Sequence, residues 1–190
     1  MKKLRVGILG ATGMVGQRFI QLLANHEWFT ITVLAASAAS AGKPYEQAVE
    51  GRWRIDHEMP ELVKDMVVKE VEKDMDEIAG MGDLVFSALD MDKEKIKEIE
   101  IAYAAHDVAV VSNNSAHRWT PDVPMIMPEI NPHHVKLIDV QRKKRGWKKG
   151  CIAVKPNCSI QSYVSILTAL AVFKPERVHV VSLQAISGAG

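Results

Sequence analysis

The segment that most constrains the fold is a glycine-rich turn between an apolar strand and a helix near the N terminus. Residues 4–9 are predicted to form a buried parallel strand, and residues 17–25 carry a helical pattern. The turn has the spacing G-x-x-G-x-x-G, which departs from the commoner G-x-G-x-x-G. Its glycines suit a tight turn, close approach of a pyrophosphate and close helix packing, although a simple tight turn is the alternative. The predicted cofactor-binding residues of this turn are Gly10, Thr12, Gly13, Met14, Val15 and Gly16.

Apolar runs alternate with helical patterns along the rest of the chain. The predicted strands are residues 31–35, 66–68, 83–89, 108–111 and 151–154, and the predicted helices are residues 70–78, 93–106, 132–145 and 159–173, the third with Asn131 as its N-cap. This alternation favours right-handed crossovers and an α/β fold with a doubly wound parallel sheet of the Rossmann-like kind. Ligands of such sheets bind beyond the carboxyl ends of the strands. The strand ends therefore add Ser87, Ala88, Leu89 and Asn113 to the predicted cofactor contacts.

The loop after the second strand indicates which nicotinamide cofactor fits. A site for NAD usually places an acid about 20 residues past the glycines, where it bonds the ribose 2′-hydroxyl. This loop has no carboxylate, and it offers Ser37, Ser40 and Lys43 to a 2′-phosphate. The sequence therefore favours NADP, with a small-residue loop of no binding role as the alternative.

Cys158 lies at a predicted junction between a strand and a helix, which is a position suited to chemistry. Pro156 ends the strand at residues 151–154, and the helix at residues 159–173 follows. The partial positive charge at a helix N terminus favours a thiolate, and unpaired N–H groups can hold an oxyanion. We predict that Cys158 is a nucleophile, against the alternative of a small buried residue. Cys151, inside the strand, is assigned to the core.

Composition excludes several classes of function. The chain has 190 residues, is 47% hydrophobic and carries 24 basic and 23 acidic side chains, so no global field attracts nucleic acid or an anionic membrane. The basic run at residues 142–145 is better explained as a helix end than as a nucleic-acid patch. The apolar run at residues 164–173 is about half of the roughly 20 residues that span a membrane. Two cysteines and the absence of zinc spacing predict a cytoplasmic protein without a metal site.

Six separated motifs together resemble the aspartate-semialdehyde dehydrogenase family, in its archaeal and fungal branch. They are the glycine turn, residues 87–89, residues 112–118, residues 128–131, residues 156–159 and residues 184–190. The resemblance covers essentially the whole chain. It implies NADP-dependent reductive dephosphorylation of aspartyl phosphate to aspartate semialdehyde, a small-molecule reaction of amino-acid biosynthesis. One departure is Ala39, where the family usually has an arginine, and it bears on the strength of the NADP preference.

The resemblance also implies residue roles. Cys158 would form a thioacyl enzyme, Asn157 would help to polarise the carbonyl, and Gln184 would orient the intermediate. Arg118 would grip the substrate phosphate, where a guanidinium fork suits phosphate oxygens. Gly188 would lie near the nicotinamide. All seven histidines precede the motif at residues 184–190, whereas the family's catalytic histidine follows it.

The resemblance therefore implies a dinucleotide-binding domain at residues 1–157 and the start of an incomplete α+β catalytic and dimerisation domain at residues 158–190. A homodimer or homotetramer is expected of the full-length protein, and little turnover is expected of the 190 residues alone, with His117 the first acid–base candidate if turnover occurs. Residues 177–186 are predicted to be the first strand of a second sheet. Two alternatives stay open: a reductase of CoA thioesters such as malonyl-CoA, against which Asn157 argues, and a non-catalytic nucleotide-binding fragment.

Overall fold

The computed structural model describes residues 2–184, whose centre is a six-stranded, all-parallel sheet with the strand order β3-β2-β1-β4-β5-β6. The strands are β1 Leu4–Leu9, β2 Phe29–Ala36, β3 Lys69–Glu70, β4 Leu84–Ser87, β5 Ala109–Ser112 and β6 Cys151–Val154. The chain moves outward from β1 to β3 and then returns to place β4 on the other side of β1. This order confirms the predicted doubly wound α/β fold, and its topological switch point lies between β1 and β4.

Seven α-helices connect or follow these strands within the described residues. They are α1 Met14–Leu23, α2 Tyr45–Ala48, α3 Glu61–Lys64, α4 Met75–Met81, α5 Lys93–Ala105, α6 Leu137–Arg145 and α7 Cys158–Ala169, with 3₁₀ turns at Pro132–Lys136 and Leu170–Phe173. Asp92 begins α5 because its carboxylate accepts the N–H groups of Glu94 and Lys95. Gly146 ends α6 in the left-handed region at a φ of 72°.

The core divides into two apolar layers, one on each face of the sheet. Ile20 and Leu23 of α1 pack in one layer with Tyr45, and Ile99 and Tyr103 of α5 pack in the other. Each buried tyrosine finds an acceptor for its hydroxyl, as buried polar groups require. Tyr45 donates to the carbonyl of Ala11 and Tyr103 donates to that of Val71, both at 2.7 Å.

Two predicted elements between residues 66 and 81 are wrong in their positions. The strand predicted at residues 66–68 does not join the sheet, because its backbone bonds to the loop at residues 42–45, and β3 instead forms at Lys69–Glu70. The helix predicted from residue 70 begins only at Met75. Asp74 explains the delay, since its carboxylate accepts the N–H of Glu70 at 2.8 Å and holds the intervening residues in a turn.

The predicted N-cap at Asn131 is also wrong. Its side chain makes no capping bond; it accepts the N–H of Met127 at 2.7 Å and donates to the carbonyl of Met125 at 3.0 Å. The amide therefore closes the loop before the helix, and Pro132–Lys136 forms a 3₁₀ turn that leads into α6.

The basic run at the end of α6 is engaged in local contacts. Arg145 and Lys144 both bond to the buried carboxylate of Asp122, and Arg142 donates to the carbonyl of Gly150. Arg145 also lies over the ring of Trp147, 5.1 Å from its centroid. These contacts indicate that the basic residues stabilise the C-terminal end of α6.

Helix α7 differs from the other long helices because none of its residues is buried. Some of its apolar side chains remain open to solvent, with Ile166 62% exposed, and Phe173 in the following turn is 77% exposed. Residues 177–184 form no strand, because no neighbouring strand supplies a hydrogen-bond ladder within the described residues. The rest of that predicted strand, residues 185–186, lies outside the described residues.

Candidate functional site

The carboxyl ends of the strands lie in one row, which places the glycine turn after β1 and the Cys158 corner after β6 on the same edge of the sheet. Leu9 of β1 is in register with Ser87 of β4, Ser87 with Ser112 of β5, and Ser112 with Val154 of β6. Neighbouring strands are roughly 4.8 Å apart, so the turn after β1 and the corner after β6 are separated by about 14 Å along one edge. A dinucleotide lying along this edge reaches from one to the other.

A crevice of about 290 Å³ opens at the switch point between β1 and β4. Its lining includes the predicted residues Gly10, Thr12, Gly13, Ser37, Ala88 and Leu89, and it also includes Glu70, Glu72, Asp90 and Met91. Sequence reasoning missed Glu70 and Glu72 because β3 is only two residues long and carries little strand signal. Glu72 is paired with Lys95 at 2.6 Å.

The three glycines of the turn have different physical roles. Gly10 has a φ of +80°, and a Cβ there would collide with the backbone of Ala88. A Cβ on Gly16 would likewise strike the backbone of Gly10, so this position needs glycine for helix packing. A Cβ on Gly13 would meet no atom closer than 3.5 Å, which leaves open space in front of α1.

The start of α1 is suited to hold a pyrophosphate. The N–H groups of Met14, Val15 and Gly16 donate to no acceptor in the part of the chain that the structure describes. They lie at the positive end of the helix, next to the space that Gly13 leaves open. The residues present therefore fit the phosphates of a dinucleotide.

The loop after β2 brings only one of its three predicted cofactor contacts into the crevice. Ser37 is exposed there, whereas Ser40 is buried and its N–H donates to the carbonyl of Ser37 at 2.9 Å. Lys43 is outside the crevice lining and donates its Nζ to the carbonyl of Ala39 at 3.0 Å. Ser37 is thus the predicted residue placed to meet a 2′-phosphate directly.

A buried polar network supports the ends of β4 and β5. The amide of Asn114 donates to Ser87 Oγ at 3.0 Å and to Glu100 Oε1 at 3.1 Å. Ser112 donates its hydroxyl to the same carboxylate oxygen at 2.7 Å, and the N–H of Asn113 donates to the carbonyl of Ser87 at 2.9 Å. Ser87 and Asn113 therefore act in holding the two strand ends together.

His117 belongs to this network and is only 1% exposed. Its Nδ1 lies 3.0 Å from Thr120 Oγ1, and its Nε2 lies 4.0 Å from Glu100 Oε2. Burial lowers the pKa of its imidazole, while the charge of Glu100 acts in the opposite direction. A ring enclosed in this way is poorly placed to exchange protons with a substrate, which argues against the sequence-based suggestion of His117 as an acid–base group.

Cys158 is the first residue of α7 and is exposed, whereas Cys151 in β6 is buried. Cys158 is therefore accessible within the described residues, and the assignment of Cys151 to the core is confirmed. Asn157 caps the helix, because its carboxamide oxygen accepts the N–H of Ser159 at 2.9 Å. Burial raises the pKa of the Cys151 thiol, which disfavours its reactive thiolate form.

Arg118 packs against the corner that carries Cys158. Its Nε donates to the carbonyl of Lys155 at 3.2 Å and its Nη2 donates to the carbonyl of Pro156 at 3.4 Å. Lys155 donates its Nζ to the same oxygen of Pro156 at 3.3 Å. Sequence reasoning did not single out Lys155 as a site residue. Its position two residues before Asn157 was the available indication that a positive charge lies near Cys158.

Cys158 and Gln184 line one groove of about 630 Å³ between α7 and residues 178–184. His179 lines it as well and was not singled out from the sequence. Gly188, the predicted neighbour of the nicotinamide, lies outside the described residues. Within residues 2–184 no cluster of side chains is arranged to hold a metal ion, and none of the helices there is long and apolar enough to cross a membrane.

Comparisons with known proteins agree with this geometry. Aspartate-semialdehyde dehydrogenase of Archaeoglobus fulgidus is 45% identical over 186 residues, covering 97% of this chain and 51% of the relative. The malonyl CoA reductase (NADP) of Metallosphaera sedula is 40% identical over 191 residues, covering 51% of that relative. The crystal structure of aspartate semialdehyde dehydrogenase with NADP from Candida albicans superposes with a TM-score of 0.78 at 38% identity, covering 92% of this chain and 48% of that one.

The chain thus spans about half the length of the curated relatives that it matches. The family model described as semialdehyde dehydrogenase, NAD binding domain, matches residues 5–138, which include the glycine turn, strands β2 to β5 and all but the first residue of β1. The chain therefore belongs to the semialdehyde dehydrogenase family and contains its NAD-binding domain.

Proposed function

We propose that this chain serves an NADP-dependent aspartate-semialdehyde dehydrogenase, which converts aspartyl phosphate to aspartate semialdehyde and phosphate through a thioacyl group on Cys158. The observation that carries the proposal is the exposed Cys158 at the first position of α7, with Arg118 against the same corner. The identity to enzymes of this name in archaea and fungi supports the choice of reaction.

Cys158 attacks the carbonyl carbon of the acyl phosphate, the sulfur–carbon bond forms, and the carbon–oxygen bond to phosphate breaks. The N–H groups of Cys158 and Ile160 have no acceptor in the described part of the chain, and they are available to the oxyanion of this step. Asn157 commits its carboxamide oxygen to the helix, which leaves its NH₂ group to donate to the substrate. Arg118 receives the departing phosphate.

When bound, the reduced dinucleotide supplies the hydride that converts the thioester to the aldehyde and releases the sulfur. The chain contributes the cradle for its phosphates at α1 and the crevice beside Ser37. A preference for NADP is supported by the absence of a carboxylate from the end of β2 and by the NADP bound in the relative from Candida albicans. Glu70 in the same crevice opposes this preference, because a carboxylate repels a 2′-phosphate.

We further propose that residues 1–157 are the dinucleotide-binding domain and that residues 158–190 begin the catalytic and dimerisation domain. Helix α7 supports this division, since it buries no residue although it is strongly apolar. A cytoplasmic homodimer or homotetramer is the assembly we propose for the full-length protein. The enclosed His117 is not the acid–base group that this proposal requires.

Acylation of Cys158 tests the function without requiring complete turnover. Incubation with aspartyl phosphate should add one aspartyl group to Cys158, detected by intact mass and peptide mapping, with release of phosphate. Cys158→Ser should abolish the adduct, and Cys151→Ser is the matched control that should retain it. Acylation of Cys151 instead, or phosphate release without an adduct, contradicts the proposal.

The second candidate is a reductase of CoA thioesters, which the similarity to malonyl CoA reductase favours. It predicts that malonyl-CoA acylates Cys158 and that aspartyl phosphate does not. The same mass measurement with both donors distinguishes the two functions.

A further inference from the structure

Two cationic side chains meet at the corner that carries Cys158. Arg118 Nη2 and Lys155 Nζ approach the same carbonyl oxygen, that of Pro156, at 3.4 and 3.3 Å. Arg118 is also fixed through its Nε, which bonds to the carbonyl of Lys155 at 3.2 Å. Both side chains are partly buried, so water screens their mutual repulsion incompletely.

Neither cation has a carboxylate partner within the described residues. The chain provides such partners elsewhere, since Arg5 pairs with Asp83 and Arg145 with Asp122. Burial and then the charge of Arg118 lower the pKa of Lys155, and the nearby Cys158 opposes this effect. Two adjacent, partly desolvated cations without a counter-ion are costly unless an anion joins them.

We propose that Lys155 is a second ligand for the phosphoryl group of the substrate, which is held between its ammonium and the guanidinium of Arg118. A phosphate dianion matches the two positive charges, and the fork of Arg118 can bond two of its oxygens while Lys155 bonds a third. The inference rests on the proposed function and deepens it. It makes Lys155 a residue that selects acyl phosphates, because a thioester donor presents no phosphate at the reacting carbon.

The test is the affinity of the chain for inorganic phosphate, measured by titration calorimetry at constant ionic strength. Lys155→Met keeps the apolar stem and removes the charge, and it should weaken phosphate binding about tenfold or more. Lys155→Arg should retain binding. Lys143→Met is the matched control, because Lys143 is exposed on α6 and forms no ion pair with the described residues, and this variant should bind phosphate with unchanged affinity. Sulfate should compete for the site and acetate should not.

Phosphate affinity unchanged in Lys155→Met, or lowered equally in Lys143→Met, overturns the inference. Thermal unfolding of each variant separates loss of binding from loss of folding, and Lys155→Gln is the second neutral variant if Lys155→Met unfolds. The same titration in Cys158→Ser separates this inference from the proposed function. Cys158→Ser should still bind phosphate although it can no longer be acylated. If the unmodified chain binds phosphate in a Lys155-dependent way but is not acylated, the proposed function fails and this inference stands.

Discussion

The backbone of Ala88 occupies the place that a side chain on Gly10 would need. Gly10 also adopts a φ of +80°, which residues with a side chain rarely adopt. The turn after β1 and the end of β4 are therefore packed backbone to backbone, directly under the cofactor crevice. The geometry of the crevice therefore depends on residue 10 being a glycine.

We expect Gly10→Ala to destabilise the protein by about 2–4 kcal/mol, because it adds a backbone collision to the cost of the left-handed conformation. Urea unfolding measures the difference. Gly42→Ala is the matched control, since Gly42 has the same φ but no atom within 4 Å of its would-be Cβ, and it should cost only about 1 kcal/mol. Equal losses in the two variants would show that the contact with Ala88 is unimportant.

The open space at Gly13 predicts that a substitution there affects dinucleotide binding and not stability. Gly13→Ala should leave stability nearly unchanged, because its Cβ would meet nothing closer than 3.5 Å. It should still weaken dinucleotide binding by calorimetry, since the added methyl group fills space needed by the pyrophosphate. Dinucleotide affinity equal to that of the unmodified chain would place the phosphates elsewhere.

Ser37 should control the choice between NADP and NAD more strongly than Lys43. Ser37 lines the crevice, whereas Lys43 is outside its lining and bonds to the carbonyl of Ala39. Ser37→Asp should lower NADP affinity on the order of tenfold or more through repulsion of the 2′-phosphate, with a much smaller effect on NAD. Lys43→Met is the comparison and should change both affinities little. A larger loss of NADP affinity in Lys43→Met than in Ser37→Asp would contradict this prediction.

Asp122 should give the stability of the protein a dependence on pH. Its hydrogen bond to Arg145 lowers the pKa of the carboxyl to about 2 from the usual 3.8. A lowered pKa stabilises the folded state above the unfolded value, and this contribution is lost as the pH falls from about 3.8 towards 2. The unmodified protein should therefore exceed Asp122→Asn in unfolding free energy at pH 7, and the gap should narrow over that window.

Chemical unfolding at several pH values measures this gap. Asp83→Asn is the control, because Asp83 pairs with Arg5 at an exposed site and its loss should cost less. A gap between the unmodified protein and Asp122→Asn that stays constant down to pH 2 would refute the linkage.

The first half of the dinucleotide site was predictable because its signal is local. An apolar strand, glycines at fixed spacing and a helix follow one another between Leu4 and Leu23, and each local preference agrees with the final fold. The corner at Cys158 was predictable for the same reason, since Pro156 ends the strand and Asn157 caps the helix within a few residues. Periodicity along the chain likewise determined the parallel, doubly wound class of the sheet.

Other features depended on contacts between distant parts of the chain. Residues 66–68 have a strand-like composition, but their backbone groups bond to the loop at residues 42–45. Strand β3 forms instead at Lys69–Glu70, and Glu70 lines the crevice. His117 is enclosed because Glu100 approaches it from α5.

The sequence by itself therefore determined the class of the sheet, the glycine turn before α1 and the position of Cys158 at the start of a helix. Only the tertiary structure decided that Ser37 rather than Lys43 lines the crevice and that Lys155 and Arg118 meet beside Cys158. The physical reason is range. Turns, caps and periodicity act over a few residues, whereas charges 37 positions apart in the chain meet only after the sheet has aligned the ends of its strands.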